Sequence, residues 1–125
     1  MKELIIDDKI NNVEQNVTNK IKEKGFKIFS IIDQKKEADA VNLKINDTKL
    51  IIFGNPKVGT LLMQQNDLIT FELPIKILLI ATDDGKTKFI YRDPNDFPGS
   101  SQLNKDGKKI ISNMTKLYLE IIDAC

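Results

Sequence analysis

Histidine is absent from the 125 residues of this chain. Without an imidazole, the chain cannot form a Ser-His-Asp or Cys-His catalytic pair from its own residues, and it cannot bind a metal through histidine. The commonest general acid and base near neutral pH is therefore missing. Any catalysis would depend on Asp, Glu, Lys, Tyr or a bound cofactor, and we predict neither a cofactor nor a metal site.

Cysteine and long apolar runs are also scarce. Cys125 is the only cysteine, so an intramolecular disulfide is impossible and a cytosolic setting fits. The apolar run near the start, Leu4, Ile5 and Ile6, is shorter than the roughly seven residues that a signal peptide needs. A membrane helix needs about twenty. We therefore expect a cytoplasmic protein that makes no membrane contact.

An excess of one charge sign is missing too. The chain has 19 basic and 18 acidic residues, a net charge of +1, and the two signs alternate along it. A nucleic-acid-binding protein normally gathers a basic excess on one face, so we predict no nucleic-acid partner. The length and the apolar fraction of 41% suit a single globular domain, residues 1–125, whose core needs no disulfide or metal.

The sequence does contain a regular succession of apolar patterns. A stripe over residues 10–21 predicts an amphipathic helix, which we expect Asp7 or Asp8 to cap and Gly25 to end. Two further stripes predict a short helix after residue 56 and a long C-terminal one. Apolar runs predict strands at 4–6, 26–32, 49–53, 75–81 and 87–92. Residues 33–48 are ambiguous between a short helix and a loop.

The predicted order is therefore β-α-β-β-α-β-β-α. Residues 83–86 (DDGK) carry a hairpin signal between the last two strands, which makes the sheet mostly antiparallel. Such a chain belongs to the α+β class, with helices packed on at least one face of the sheet.

The strands at 26–32 and 75–81 are apolar on both sides, whereas a sheet with one hydrated face should alternate. Alternation within the first of them predicts that Phe26, Ile28 and Ile32 point one way, and Phe29 and Ile31 the other. The second face must be covered, and three coverings stay open: helices on both sides, a homo-oligomer interface, or an apolar ligand cavity.

The loop at 54–60 (GNPKVGT) lies between a strand and a helix, with Asn55 placed as N-cap and Pro56 as the first helical residue. Its free backbone N–H groups suit a small anion. It is not a nucleotide-binding phosphate loop, because Thr60 stands where the lysine after the second glycine belongs.

Four acidic residues cluster in turns around the hairpin. Carboxylates are the ligands that calcium and magnesium prefer, but no calcium-loop spacing is present, and Asp in turns usually serves backbone hydrogen bonding. These residues are Asp83, Asp84, Asp93 and Asp96. We interpret them as turn residues.

Several separated motifs together resemble the bacterial and archaeal family called domain of unknown function 302. They are Gly25-Phe26 after the first helix, and then residues 52–63 (IFGNPKVGTLLM), 73–78 (LPIKIL), 83–86 and 91–94 (YRDP). The resemblance implies a compact α+β domain with a curved, mostly antiparallel sheet, laid out as in TATA-binding-protein-like folds, and often dimeric. It implies no established activity, and a fold likeness to a DNA-binding protein transfers no function.

These observations favour a non-enzymatic module that binds a small molecule or forms a homodimer. The predicted pocket lies between the sheet and the C-terminal helix, near Asn55, Lys57, Thr60, Tyr91 and Asp93. The alternative is a histidine-independent enzyme that acts on a small anionic substrate, with Asp93 as general base and Lys57 or the loop amides holding the anion.

Overall fold

The computed structural model describes all residues, 1–125, as one five-stranded sheet with five α-helices. The predicted α+β class is confirmed, and the predicted elements occur in the predicted order with two short helices, α2 and α4, added. The strands are β1 (Lys2–Ile6), β2 (Lys27–Asp33), β3 (Thr48–Gly54), β4 (Ile75–Ala81) and β5 (Thr87–Tyr91). The helices are α1 (Ile10–Glu23), α2 (Gln34–Ala40), α3 (Pro56–Met63), α4 (Asp67–Thr70) and α5 (Lys105–Asp123).

The strands are ordered β1-β5-β4-β3-β2, and every neighbouring pair is antiparallel. Strands β2 to β5 form a meander, and the first strand, β1, pairs with the last, β5. The hairpin between β4 and β5 closes as predicted, because Gly85 takes a positive φ of 83° and the Thr82 amide donates to the Lys86 carbonyl at 2.9 Å.

Helix α1 ends as predicted but begins differently. Gly25 follows it with φ 80°, a left-handed conformation that glycine adopts without a steric penalty. The N-cap is Lys9, which provides no side-chain cap, so the prediction that Asp7 or Asp8 caps the helix was wrong. Asp8 Oδ1 instead accepts from the Lys9 amide at 2.8 Å and from the Asn12 side chain at 2.9 Å.

One face of the sheet, the covered face, packs against α1 and α5. Ile51, Phe53, Ile77, Leu79 and Phe89 on this face are fully buried and belong to the same core cluster as the apolar stripes of both helices. Burial of such side chains is the main stabilising term, at about 1.5–3 kcal/mol for each one.

A β-bulge in β2 changes which side chains reach that face. Ile28 pairs with Phe53 and Ile31 pairs with Ile51, and the register shifts between Ile28 and Ser30. Ile28 and Ile31 therefore share the covered side. The alternation predicted for this strand was wrong, because one extra residue on the bulged strand reverses the facing of all that follow.

The opposite side of the sheet, which we call the open face, is not enclosed. Its apolar side chains are partly exposed rather than buried, so helices cover only one of the two faces. They are Ile5, Ile32, Leu50, Ile52, Leu78, Ile80 and Ile90, which the strand register places together.

Candidate functional site

A cleft of about 390 Å³ lies at the end of the sheet where β4 begins and β5 ends. Nine of its twelve lining residues are hydrophobic, and its volume falls within the range of small-molecule sites. We call it the tyrosine cleft. Its lining residues are Met1, Leu50, Phe71, Glu72, Ile75, Lys76, Leu78, Ile90, Tyr91, Arg92, Phe97 and Tyr118.

The strand register builds the floor of the cleft. Leu50 pairs with Leu78 across β3 and β4, and Leu78 pairs with Ile90 across β4 and β5. Directly opposed side chains on one face lie close enough to pack. The cleft is therefore continuous with the open face, because these three residues belong to both.

An aromatic cluster forms the inner wall. The Tyr91 and Tyr118 rings stack with their centroids 4.3 Å apart. Phe53 meets Tyr118 edge-on at 6.1 Å, and Phe89 meets Tyr91 edge-on at 5.9 Å. Offset-stacked and edge-to-face arrangements are the favoured aromatic geometries, so this wall is preorganised.

The two tyrosines stay neutral near physiological pH. Burial raises the pKa of Tyr118 well above its ordinary value, and its hydroxyl donates to the Lys76 carbonyl at 2.9 Å. Burial also raises the pKa of Tyr91, and the nearby charge of Asp93 adds to that shift. Both hydroxyls therefore act as hydrogen-bonding groups rather than as bases.

An ion pair lies at the mouth of the cleft. Arg92 Nε approaches Glu72 Oε1 at 2.5 Å, and the Glu72 side chain is 9% exposed against 44% for Arg92. Glu72 precedes β4 and Arg92 follows β5, so antiparallel pairing brings them to the same end of the sheet. A buried carboxylate requires such a partner.

Of the five residues predicted to bind a ligand, the structure brings only Tyr91 to this cleft. Asn55 caps α3, since its Oδ1 accepts from the Lys57 amide at 3.1 Å and from the Val58 amide at 3.4 Å. The predicted N-cap is confirmed. The amides of Lys57 and Val58, which were predicted to be free for an anion, are bonded to the Asn55 side chain instead. Asn55 also lines a small cavity of about 50 Å³ beside Phe29, apart from the tyrosine cleft.

Lys57, Thr60 and Asp93 lie outside the lining of the tyrosine cleft. Lys57 is exposed, and the Thr60 hydroxyl donates to the Pro56 carbonyl at 2.6 Å. Asp93 Oδ1 accepts from the Asn95 amide and its side chain, both at 2.9 Å. The Thr60 bond lies within α3 and the Asp93 bonds lie within the turn after β5, and a ligand role for the three residues stays a prediction.

Two acidic residues of the turn between β4 and β5 also accept hydrogen bonds. Asp84 accepts from the Thr82 hydroxyl, and Asp83 accepts from the Asn46 side chain at 3.0 Å. No three Cys, Asp or Glu side chains come together in a way that could hold a metal ion.

The single thiol is not activated. Cys125 Sγ lies 3.4 Å from the Ile121 carbonyl oxygen, to which it donates. Burial raises its pKa to about 11, so the thiol is protonated at neutral pH, whereas a nucleophilic cysteine needs a lowered pKa.

Sequence reasoning missed Glu72, Arg92 and Phe71 as parts of a site. The signal was their position, because Glu72 lies just before one strand of a hairpin and Arg92 just after the other. Residues flanking an antiparallel pair in this way must meet at one end of the sheet. Phe71 carries no such pattern, although it is 86% exposed.

Comparison with protein families gives a match over nearly the whole chain. The family described as "Domain of unknown function DUF302" matches residues 3–121. A crystal structure of an uncharacterized conserved DUF302 protein from Bacillus stearothermophilus superposes with a TM-score of 0.83. It covers 99% of this chain and 96% of that one at 18% sequence identity, so the likeness establishes the fold.

Curated relatives match over a shorter stretch. A protein of Brucella suis biovar 1 named fluoride-specific ion channel FluC 1 is 38% identical over 80 residues. A protein of the same name from Brucella abortus biovar 1 shows the same identity. The match covers 64% of this chain but only 32% and 30% of those two proteins, so this chain spans less than a third of them. None of its own helices combines the length and apolar composition that a membrane crossing requires.

Proposed function

Since the chain belongs to the DUF302 family, which has no assigned function, we propose from its geometry that it is a homodimeric module that binds a small molecule in the tyrosine cleft. The cleft itself carries this proposal. It combines an apolar floor, a rigid aromatic wall and a few charged groups at one end, which is the usual make-up of a small-molecule site.

The two tyrosines provide a direct test of ligand binding. The chain has two tyrosines and no tryptophan, and both tyrosines line the cleft. All intrinsic tyrosine emission therefore reports on this site. Titration with 1-octanol and with octanoate is expected to change the emission saturably, because the alkyl chain displaces water from the aromatic wall.

Two matched variants separate the cleft from the rest of the open face. Leu50→Phe adds bulk to the cleft floor, and Ile52→Phe adds it on the same strand and face but outside the lining. We expect Leu50→Phe to abolish the saturable response and Ile52→Phe to keep it. The ligand proposal is wrong if neither probe saturates, or if Leu50→Phe responds as the native chain does.

The open face supports the homodimeric part of the proposal, and because Leu50, Leu78 and Ile90 belong to both surfaces, the second copy would close over the floor of the cleft. Five strands spaced about 4.8 Å apart, with five to seven residues each at about 3.3 Å, give a face of roughly 400–550 Å². Two such faces together bury roughly 800–1,100 Å², which is near the minimum of about 1,000 Å² for a biological interface and in the range of weak ones. Glu3 and Lys88 lie on this face with opposite charge, so a two-fold axis can pair them across the interface.

The dimer is tested by its oligomeric state. Ile80→Lys places a charge at the open face, whereas Leu119→Lys places one on an already exposed position of α5. Sedimentation at tens of micromolar should give a dimer for the native chain and for Leu119→Lys, and a monomer with unchanged circular dichroism for Ile80→Lys. A monomeric native chain would refute this part of the proposal.

The names of the Brucella relatives are the reason to add sodium fluoride to the same titrations. A fluoride ion in a mostly apolar cleft would lose hydration that the lining cannot replace. We therefore expect fluoride to leave the tyrosine emission unchanged, and a saturable fluoride response would redirect the ligand proposal towards that ion.

A further inference from the structure

Three side chains that line the tyrosine cleft are charged, and their charges do not cancel. Lys76 and Arg92 are cationic and Glu72 is anionic, which leaves one positive side-chain charge in excess. We propose that the cleft takes an amphipathic organic monoanion, such as a carboxylate with an apolar chain or ring. This inference rests on the proposed ligand-binding function and specifies the chemical class of the ligand.

Arg92 has donors to spare for an incoming carboxylate. Its closest contact with Glu72 joins Nε to a single carboxylate oxygen. A guanidinium carries five N–H donors, and one carboxylate takes at most two of them in a bidentate pair. At least three donors therefore stay available on a side chain that is half-exposed at the mouth of the cleft.

Lys76 lies beside the same opening with free donors of its own. Its ammonium donates to the Pro74 carbonyl at 3.1 Å, and an ammonium carries three protons. The remaining two can reach solvent or a ligand, because the side chain is exposed. The anionic group of the ligand is therefore placed between Lys76 and Arg92.

The apolar part of the ligand has uncovered partners. Phe71 and Met1 both line the cleft, and both are among the most exposed apolar side chains of the chain. Contact with a chain or ring would remove their apolar surface from water, at about 25 cal/mol for each Å². The ligand body therefore extends from the charged mouth along the tyrosine wall.

Other ligand charges fit less well. A cation would face Lys76 and Arg92, while the one lining carboxylate, Glu72, is buried against its partner. A second negative charge deeper in the cleft would lie against mostly apolar side chains, with no further cationic side chain in the lining to pair with it. One negative charge at the mouth balances the positive excess of the lining side chains.

The test compares probes with the same carbon skeleton whose polar end is either a carboxylate or a neutral alcohol. Octanoate is paired with 1-octanol, and 2-naphthoate with 2-naphthalenemethanol, so an aliphatic and an aromatic body are both covered. Binding is followed by amide chemical shifts in two-dimensional NMR. Each carboxylate should bind about fivefold more tightly than its alcohol, since one partly screened charge contact contributes roughly 1 kcal/mol.

A charge series in the protein provides the decisive control. Glu72→Gln should strengthen octanoate binding, and Arg92→Gln should weaken it, by about fivefold each. The affinity for 1-octanol should stay within about twofold throughout. Lys76→Gln leaves the Glu72–Arg92 pair intact. It should therefore weaken octanoate binding in the same way, and it tests the inference even if Arg92→Gln folds poorly.

The outcomes separate the two proposals. If the alcohols bind as tightly as the carboxylates, or if Lys76→Gln and Arg92→Gln leave octanoate binding unchanged, the monoanion inference is wrong while the cleft remains a ligand site. If none of the four probes binds, the proposed ligand-binding function fails with it.

Discussion

Both faces of the sheet carry apolar side chains in every strand, and yet these side chains are buried to very different extents. Leu79 on the covered face is fully buried, whereas its neighbour Leu78 on the open face is partly exposed. The same contrast holds in β3, between Ile51 and Ile52. The apolar composition of a strand therefore indicates that both of its faces need to be buried, but the placement of the helices decides which face is buried within one chain.

Chain topology explains why both long helices lie on one side. Strands β1 and β2 are the two edges of the sheet, and alternation through the three strands between them makes them parallel. Helix α1 is therefore a crossover between parallel strands, and such crossovers are right-handed in nearly all proteins. That rule restricts α1 to one face, and α5 packs beside it.

The largest effect is expected from the pair Leu79→Ala and Leu78→Ala. These changes remove the same atoms from adjacent residues that face opposite sides of β4. Leu79→Ala opens a cavity in the core and should lower the free energy of unfolding by about 2–5 kcal/mol. Leu78→Ala removes a partly exposed side chain and should cost about 1 kcal/mol or less.

Urea unfolding measures both costs. The comparison is made in the Ile80→Lys background. This variant is expected to be monomeric, so a second copy does not bury Leu78 and raise the cost of removing it. Equal costs there would mean that the open face is enclosed within a single chain, which contradicts the contrast between the two faces.

The next effect concerns the two tyrosines of the wall. Tyr118→Phe removes the part-buried hydrogen bond to the Lys76 carbonyl, and the loss of one such bond costs about 0.5–1.5 kcal/mol. Tyr91→Phe keeps the stacked ring and should change the free energy of unfolding by less than about 0.5 kcal/mol. Thermal unfolding of both variants compares them, and a larger loss for Tyr91→Phe would reverse the assigned roles.

The sequence predicted the strands well because each one is a short apolar run bounded by turn residues. It could not predict that Ile28 and Ile31 share a face, because a bulge depends on how β2 meets β3 and leaves no mark in the alternation. It also could not predict an uncovered face. The doubly apolar runs indicated that a second covering was needed, and only the packing of α1 and α5 together shows where it is missing.

The site was predicted less well than the fold, and for a physical reason. Asn55, Thr60 and Asp93 have side chains that suit binding, but they suit capping and turns equally, and the structure uses them for those local hydrogen bonds. Tyr91 was predicted because it stands on the return strand of the hairpin, and the structure brings it to the tyrosine cleft. The Glu72–Arg92 pair depends on tertiary pairing of the hairpin ends.

Alkaline pH should affect the wall more than the rest of the molecule. The pKa of Tyr118 is raised in the folded state above its ordinary value of 10.0, so its contribution to stability is full below that pH. Above it the unfolded chain releases a proton that the folded chain keeps, and the free energy of unfolding falls as pH rises.

Tyrosinate absorbance at 295 nm checks this, read beside circular dichroism. Ionisation of the buried tyrosine should appear together with unfolding rather than before it. Tyr118→Phe should remove more of the alkaline loss of stability than Tyr91→Phe does. Full ionisation of both tyrosines in a folded chain would show that the wall is open to solvent and base.

The smallest effect is expected at the rim of the covered face, where Lys24 of the α1 C-cap meets Glu120 of α5 at 2.6 Å. The contact lowers the pKa of Glu120 below its ordinary value of 4.5, so its stabilisation is present above that pH and is lost on acidification. Both groups are exposed, and exposed pairs contribute little. Glu120→Gln should therefore shift the melting temperature by no more than about 2 °C, as should Glu23→Gln in the exposed pair within α1. A clearly larger shift for Glu120→Gln than for Glu23→Gln, lost in high salt, would mean that charge as well as apolar burial holds the two helices over the covered face.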